Sequence, residues 1–257
     1  MTAIGGTSAL SEPTRWSVRA SAATAALGAW QVAAATQNVL LAPPLAVARV
    51  LVDETLVRGT LLHAVAGALT NALIGYGLAL AVGVPLGALI AFSTPVRHIL
   101  DPVVDALYST PIVALAPVLI IWFGLSPVSK VILVFTFAVF VVVINTEAGF
   151  ANPPEGLLDA ADVYGGGNRF VRLRVRARYA LPSVLTGARL AAGRAVRGAV
   201  AAELFLYADA LGAYLIDSGS SFDTARLLAG IVALTLIGVL AVGSVGIVER
   251  RVRYTES

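Results

Sequence analysis

The chain has 257 residues, of which 58% are hydrophobic and only 13% charged, where a soluble domain has roughly half and a quarter. Its mean hydropathy is +0.86, and apolar sequence in such excess of what a core of this size needs points to lipid as solvent. The formal charge of +3 is not gathered into a basic stripe interleaved with aromatics, which argues against a nucleic-acid partner, and the absence of cysteine excludes disulfides, a thiol nucleophile and a cysteine-ligated metal.

Residues 1–17 are small, polar and poorly patterned, as in a mobile tail. Ala20 to about Leu41 carries no charge and reads as a first membrane span. A secretory signal is the rival reading, with Arg15 and Arg19 as its basic region and Ala33-Ala34-Ala35 as its cleavage site. Pro43-Pro44 ends that helix, and residues 45–58 read as a short interfacial helix with Arg49, Asp53, Glu54 and Arg58 on its wet side. A second span is expected over Leu61–Phe92. In it Ala79, Gly83, Gly87 and Ala91 lie four apart, a small-residue stripe that lets another helix come close, and Pro85 predicts a kink.

Ser93–Asp101 reads as a loop and Val103–Phe123 as a third span interrupted by Pro111 and Pro117. Breaks of this kind persist in a membrane beside protein or a water-filled path. Tyr108, Ser109, Thr110 and Pro111 are therefore either a gate or cavity wall, or a static kink. Gly124-Leu125-Ser126-Pro127 is a tight turn, and Val128 to about Ile144 a fourth span.

Asn152–Pro182 is the one long polar insert. Asn152 can cap a helix, Pro153 suits its first position, and Glu155 can reach back to the cap. Leu157, Leu158, Ala161 and Tyr164 recur at helical spacing, and Gly165-Gly166-Gly167 ends the helix. Arg169, Arg172, Arg174, Arg176 and Arg178 follow. A short amphipathic helix and a basic run between two membrane-length stretches describe a cytoplasmic loop built to touch a partner.

Ser183 to about Leu206 is read as a fifth span, Tyr207–Arg226 as a partly helical outer loop and Leu227–Val248 as a sixth span. On the fifth span Arg194 and Arg197 share a face, and Ala191, Ala195, Ala199 and Ala202 suggest close helix contact at a central position. A charge deep in lipid costs several kcal/mol and must face protein, water or a counter-charge. Arg197, with Arg194, either lines a translocation cavity that favours an anion, or Arg189 and Arg194 snorkel inward and Arg197 pairs with an acid such as Glu203 of a dimer mate.

With the N-terminus inside, the inner segments hold Arg15, Arg19, Arg97, Arg169, Arg172, Arg174, Arg176, Arg178, Arg250, Arg251 and Arg253, and the outer ones only Arg49, Arg58, Lys130 and Arg226. The positive-inside rule then places both termini, with the 253–257 tail, and the Asp159 loop in the cytoplasm.

No residues form a catalytic constellation. The only lysine, Lys130, follows no glycine-rich loop, so the chain lacks a P-loop and cannot hydrolyse ATP alone. His63 and His98 fall near opposite faces and cannot share a metal. An ion-coupled carrier, the alternative without an ATPase, wants a mid-membrane acid, whereas Glu147 and Glu203 lie toward the two ends of their spans.

Asp159-Ala160-Ala161, followed after three residues by Gly165, resembles the EAA loop of ABC-importer permeases. Pro111, Pro117, Ile121-Trp122-Phe123-Gly124-Leu125, Ser129-Lys130, Asn145-Thr146, Leu181-Pro182, Gly187, Arg189 and Ala201-Ala202-Glu203 are similar to the nitrate/sulfonate/taurine-type branch, from about Trp30 to Val252. The resemblance implies an all-α polytopic protein with the type I importer permease fold, one domain over residues 18–252 with six transmembrane helices, acting as a homodimer in the inner membrane. It implies two ABC ATPase subunits, which carry the ATP and magnesium that this chain does not bind, and an extracytoplasmic solute-binding protein. The ATPase-coupling residues it implies are Glu155, Leu158, Asp159, Ala160, Ala161, Tyr164 and Gly165. Alternating access would then move a small solute, with a lean to an organic anion drawn from the arginines.

Overall fold

A computed structural model of the chain describes residues 12–36, 41–151, 153–163, 171–206, 210–236 and 238, and among them every regular element is helical. They are α1 (Glu12–Thr36), α2 (Pro44–Val52) with a π turn (Asp53–Val57), α3 (Thr60–Phe92), α4 (Thr94–Ser109), a 3-10 turn (Ile112–Leu115), α5 (Ala116–Phe123), α6 (Pro127–Ala151), α7 (Glu155–Val163), a π-helical run (Val171–Arg176), α8 (Ala177–Phe205), α9 (Ala210–Ser220) and α10 (Thr224–Leu236). Among them α3 and α6 are long and apolar enough to cross a bilayer, and α4 with α5 makes a third crossing if that bent pair is one span.

The bundle is built on α6, which lies between α3 and α8. Both neighbours approach it through residues that have no side chain. A Cβ added to Gly75 or Gly83 of α3 would stand 2.7 Å from Val134 or 2.8 Å from Val142 of α6, and one on Gly87 would stand 2.5 Å from the Val143 carbonyl oxygen. On the other side Gly187 and Gly198 of α8 would meet Asn145 at 2.7 Å and Phe137 at 3.0 Å. Lipid tails give apolar side chains no reason to associate with each other rather than with lipid, so helices in a membrane hold together through such close backbone approach. Ala79, Val134, Ala138, Val142, Ala191 and Ala195 form the buried centre. The small stripes of α3 and α8 act as expected, but the enclosed helix is α6 rather than the fifth span.

Several boundaries differ from the sequence expectation. Helix α1 begins at Glu12, inside the stretch read as a tail. Ser93–Asp101 is not a loop, because α4 starts at Thr94 with Pro95 in its first turn. The third span is not one interrupted helix: α4 and the Ile112–Phe123 segment meet at 91°. Pro111 causes the break, since it has no N–H to donate and holds Thr110 extended, at φ −72° and ψ 139°. Pro117 interrupts nothing. It sits in the first turn of α5, where a missing donor has no consequence. Helix α8 starts at Ala177 and runs through Pro182 instead of beginning at Ser183. Helix α6 continues past Ile144 to Ala151. Of the sixth span, the described part is α10 and Gly238. Gly59, at φ +70°, supplies the left-handed residue that turns the chain into α3.

Polar groups near one end of the bundle are satisfied within the chain. Lys130 opens α6 and is 1% exposed rather than lying in an outer turn, and its ammonium donates to both carboxylate oxygens of Glu203 on α8 at 3.0 Å. The Gly212 N–H donates to the same carboxylate at 3.0 Å. Glu203 is thus engaged inside its own chain. Glu54 is not on a wet side. It is buried, accepts from the Thr60 hydroxyl, and lies 3.3 Å from Arg226 Nε.

Two measurements test this packing. Gly87→Ala forces α3 and α6 apart and is expected to destabilise the purified protein by about 1–3 kcal/mol, read as a lower thermal midpoint, whereas Gly77→Ala, which meets nothing within 4 Å, changes it by less than about 1 kcal/mol. Lys130→Met leaves the Glu203 carboxylate buried and unpaired, at a cost of about 3–5 kcal/mol. Adding Glu203→Gln, which keeps an acceptor for the Gly212 N–H, is expected to recover most of that loss in the same assay.

Candidate functional site

Two places in the fold gather the residues singled out by sequence. The first is α7, at the end of the bundle where α6 finishes. Its helix starts at Glu155, two residues later than expected, with the Leu157 N–H donating to the Pro154 carbonyl at 3.0 Å. Asn152, Tyr164 and Gly165 lie outside the described residues, as does the side chain of Glu155. Ala161 is buried and Leu158 half-buried, one turn apart on the inward face, and α7 packs on the Val171–Arg176 run. Leu157, Ala160 and Val163 recur three apart and are exposed, Val163 at 83%, with Asp159 exposed beside them. The short helix thus turns one small apolar face to its own protein and leaves another exposed.

Side-chain contacts join the helices at this end. The Arg176 guanidinium lies over the Phe92 ring at 5.9 Å, and Phe92 meets Phe150 edge-on at 5.3 Å. Arg97 of α4 donates to Glu147 of α6 at 2.7 Å and 2.9 Å, with Asp101 3.7 Å away. Glu147 therefore serves to tie α6 to α4.

The second place is a cavity of about 190 Å³ between α4, α6 and α8, lined by Tyr108, Asn145, Arg194 and Arg197 among its polar groups. Arg194 donates to the Tyr108 hydroxyl oxygen at 2.6 Å, and its guanidinium lies 4.7 Å from the centre of the Tyr108 ring. Arg197 Nε donates to the Gly193 carbonyl of its own helix at 3.2 Å and is otherwise exposed. Among the described residues no carboxylate pairs with either arginine, whereas Lys130, Arg97 and Arg226 each have one. Ser109 and Thr110 turn back on α4, donating to the Asp105 and Ala106 carbonyls at 2.8 Å and 2.9 Å. They and Pro111 are exposed at the bend and do not line the cavity.

Sequence reasoning read Asn145 as part of a family pattern and did not place it in a site. An amide in the run Val141–Ile144 was the available signal, because a polar side chain in an apolar span needs a partner. The Glu54–Arg226 pair was also missed. Arg226 stacks on Tyr214 at 5.0 Å, and burial pushes the Tyr214 phenol above its ordinary value. His63 and His98 are exposed on different helices, α3 and α4.

Comparison with known proteins agrees with this arrangement. Residues 83–254 match the family model for the binding-protein-dependent transport system inner membrane component. An ABC transporter permease protein of Methanocaldococcus jannaschii is 32% identical over 182 residues, which are 71% of this chain and 66% of that protein. The taurine transport system permease protein of Escherichia coli K12 is 31% identical over 192 residues, 75% of this chain and 70% of that protein. A nitrate import permease protein of Leptolyngbya laminosa is 27% identical, over 88% of this chain and 84% of that protein. Among solved structures, the MetNI methionine ABC transporter in an inward-facing conformation superposes with a TM-score of 0.63 at 16% identity, covering 75% of this chain and 96% of the matched one, which establishes the fold. By family, by shared sequence and by a helical architecture held together by close backbone packing, the chain belongs to the inner-membrane permease components of binding-protein-dependent ABC importers, in which a separate subunit hydrolyses ATP.

Proposed function

We propose that two copies of this chain, each crossing the membrane six times with both termini cytoplasmic, form the pathway of an importer for a small anionic solute. Two ATPase subunits grip the cytoplasmic face, and a solute-binding protein delivers from the other side. The observation that carries the anionic reading is the pair of guanidinium groups at Arg194 and Arg197, which share one cavity with Tyr108 and lack a carboxylate among the described residues. Uncompensated positive charge in a membrane-embedded helix is costly, and a passing anion relieves it. The relatives named as taurine and nitrate permeases carry solutes of that charge class or close to it.

Coupling follows from α7. The exposed Leu157, Ala160 and Val163 face, with Asp159 beside it, offers an ATPase a contact, and Glu155, Tyr164 and Gly165 complete the proposed coupling set. Force applied there passes through the Val171–Arg176 run into α8, which carries both cavity arginines. Tyr108 lies at the other wall, with Ser109, Thr110 and Pro111 at the elbow where that wall can swing.

Reconstituted with its ATPase and binding protein, the importer is expected to lose at least tenfold in ATP-driven uptake on Ala160→Asp, a change on an exposed helix position that leaves the bundle intact. Full uptake by a normally assembled variant would remove α7 from the coupling path. Arg197→Ala is expected to lower uptake of the anion at least tenfold while nucleotide-dependent assembly is retained. Unchanged uptake removes Arg197 from the pathway.

A further inference from the structure

The cavity between α4, α6 and α8 offers more than positive charge, and its hydrogen-bonding inventory restricts what it accepts. The guanidinium of Arg194 has donors and no acceptor, so in its 2.6 Å contact the Tyr108 oxygen must accept. The Tyr108 proton is then left to donate elsewhere. Arg197 uses Nε on the Gly193 carbonyl, which leaves the terminal nitrogens of its fork to donate. Three sets of donors thus converge on about 190 Å³, roughly six times a water molecule's share of liquid volume.

Asn145 adds a side-chain acceptor to the lining beyond the Tyr108 oxygen, which Arg194 already occupies. Its amide lies 2.8 Å from the Val141 carbonyl. A carbonyl oxygen can only accept, so the atom facing Val141 is Nδ2 and the assignment of the amide is fixed by chemistry. Oδ1 remains. Asn145 is also held in place from α8, where Gly187 leaves room for the Asn145 Cβ: a side-chain carbon at Gly187 would stand 2.7 Å from it. The acceptor is therefore presented by a side chain anchored on one side by its own helix and on the other by α8.

We propose that Asn145 is a specificity-determining residue of this cavity, and that the solute is a small oxoanion bearing a neutral hydrogen-bond donor such as a hydroxyl. The oxoanion takes the Arg194, Arg197 and Tyr108 donors, and the solute's donor meets Asn145 Oδ1. A neutral donor suits the cavity better than an ammonium, because two guanidinium groups already line it without a carboxylate among the described residues. This rests on the anion reading above and narrows it.

The test is equilibrium dialysis of the complete permease–ATPase complex in nanodiscs, without the binding protein, so that selectivity measured is that of the membrane part. The probes are radiolabelled 2-hydroxyethanesulfonate and ethanesulfonate, which share a head group and differ by one hydroxyl. The wild type is expected to hold the hydroxylated probe about three- to tenfold more tightly, the value of one hydrogen bond. Asn145→Ala is expected to abolish that preference and leave ethanesulfonate binding within twofold of wild type. Asn145→Asp, which sets a carboxylate beside the oxoanion, is expected to weaken both probes. Arg197→Ala is expected to weaken both by similar factors and to keep the preference. If Asn145→Ala retains the preference, or the wild type shows none while binding both, the role of Asn145 is overturned and the anion reading stands. If the wild type binds neither probe, or Arg197→Ala binds both normally, the anion reading itself fails and takes the inference with it. Gel filtration and basal ATPase activity of each variant separate loss of binding from loss of folding.

Discussion

The close approach of α3 and α8 to α6 is the constraint on which the rest of the structure depends. Gly75, Gly83 and Gly87 on one side and Gly187 and Gly198 on the other leave no side chain of their own at the contact, so that α6 side chains and backbone come directly against the backbones of α3 and α8. In a bilayer this contact supplies what exclusion from water supplies to a soluble core. It also makes the three helices stiff relative to each other. The approach at Gly187 fixes Asn145, and the stacking of α8 beside α6 brings Arg194 opposite Tyr108. The cavity is thus a by-product of how tightly the helices can approach where they lack side chains, and of where they cannot because larger ones intervene.

Charge is distributed by a second rule. Lys130 with Glu203, Arg97 with Glu147 and Arg226 with Glu54 join α6 to α8, α4 to α6, and α10 to the segment before α3. Separating the buried Lys130–Glu203 pair would strand a charge away from water, whereas the other two pairs are partly exposed and link their elements more weakly. Arg194 and Arg197 depart from that pattern. Their positive charge is met by an aromatic face, a phenol oxygen and a backbone carbonyl, which interact with a cation without cancelling it. Within one molecule, some charged residues tie elements together through carboxylates, while these two do not among the described residues.

Periodicity and composition located most elements. The span at α3, the turn at Gly124, the helix at α7 and the stripes on α3 and α8 are local properties, set by residues a turn or two apart. What periodicity does not carry is which residues meet across long separations. Lys130 and Glu203 are seventy-three positions apart, and each alone looks like an end-of-span charge. Glu54 looks like the wet side of a short helix because nothing nearby announces Arg226. Pro111 marks a break but not its angle, and Pro117 looks equivalent until its place in the first turn of α5 is seen. Arg194 and Arg197 were legible as odd residues for their setting, and Tyr108 through its nearness to Pro111. Ser109 and Thr110 were grouped with Tyr108 by adjacency, and their hydroxyls return to their own helix because a donor in that last turn finds the carbonyl four residues back.

Tyr108 stands two residues before the right-angled elbow, on the final turn of α4. The aromatic that covers Arg194 is therefore carried on the turn where α4 ends, next to the bend at Pro111. Opening or straightening that joint must lift or lower the ring over the guanidinium. By thermodynamic reciprocity, any occupant that binds more tightly under a lowered ring also favours the angle that lowers it, and to the same extent.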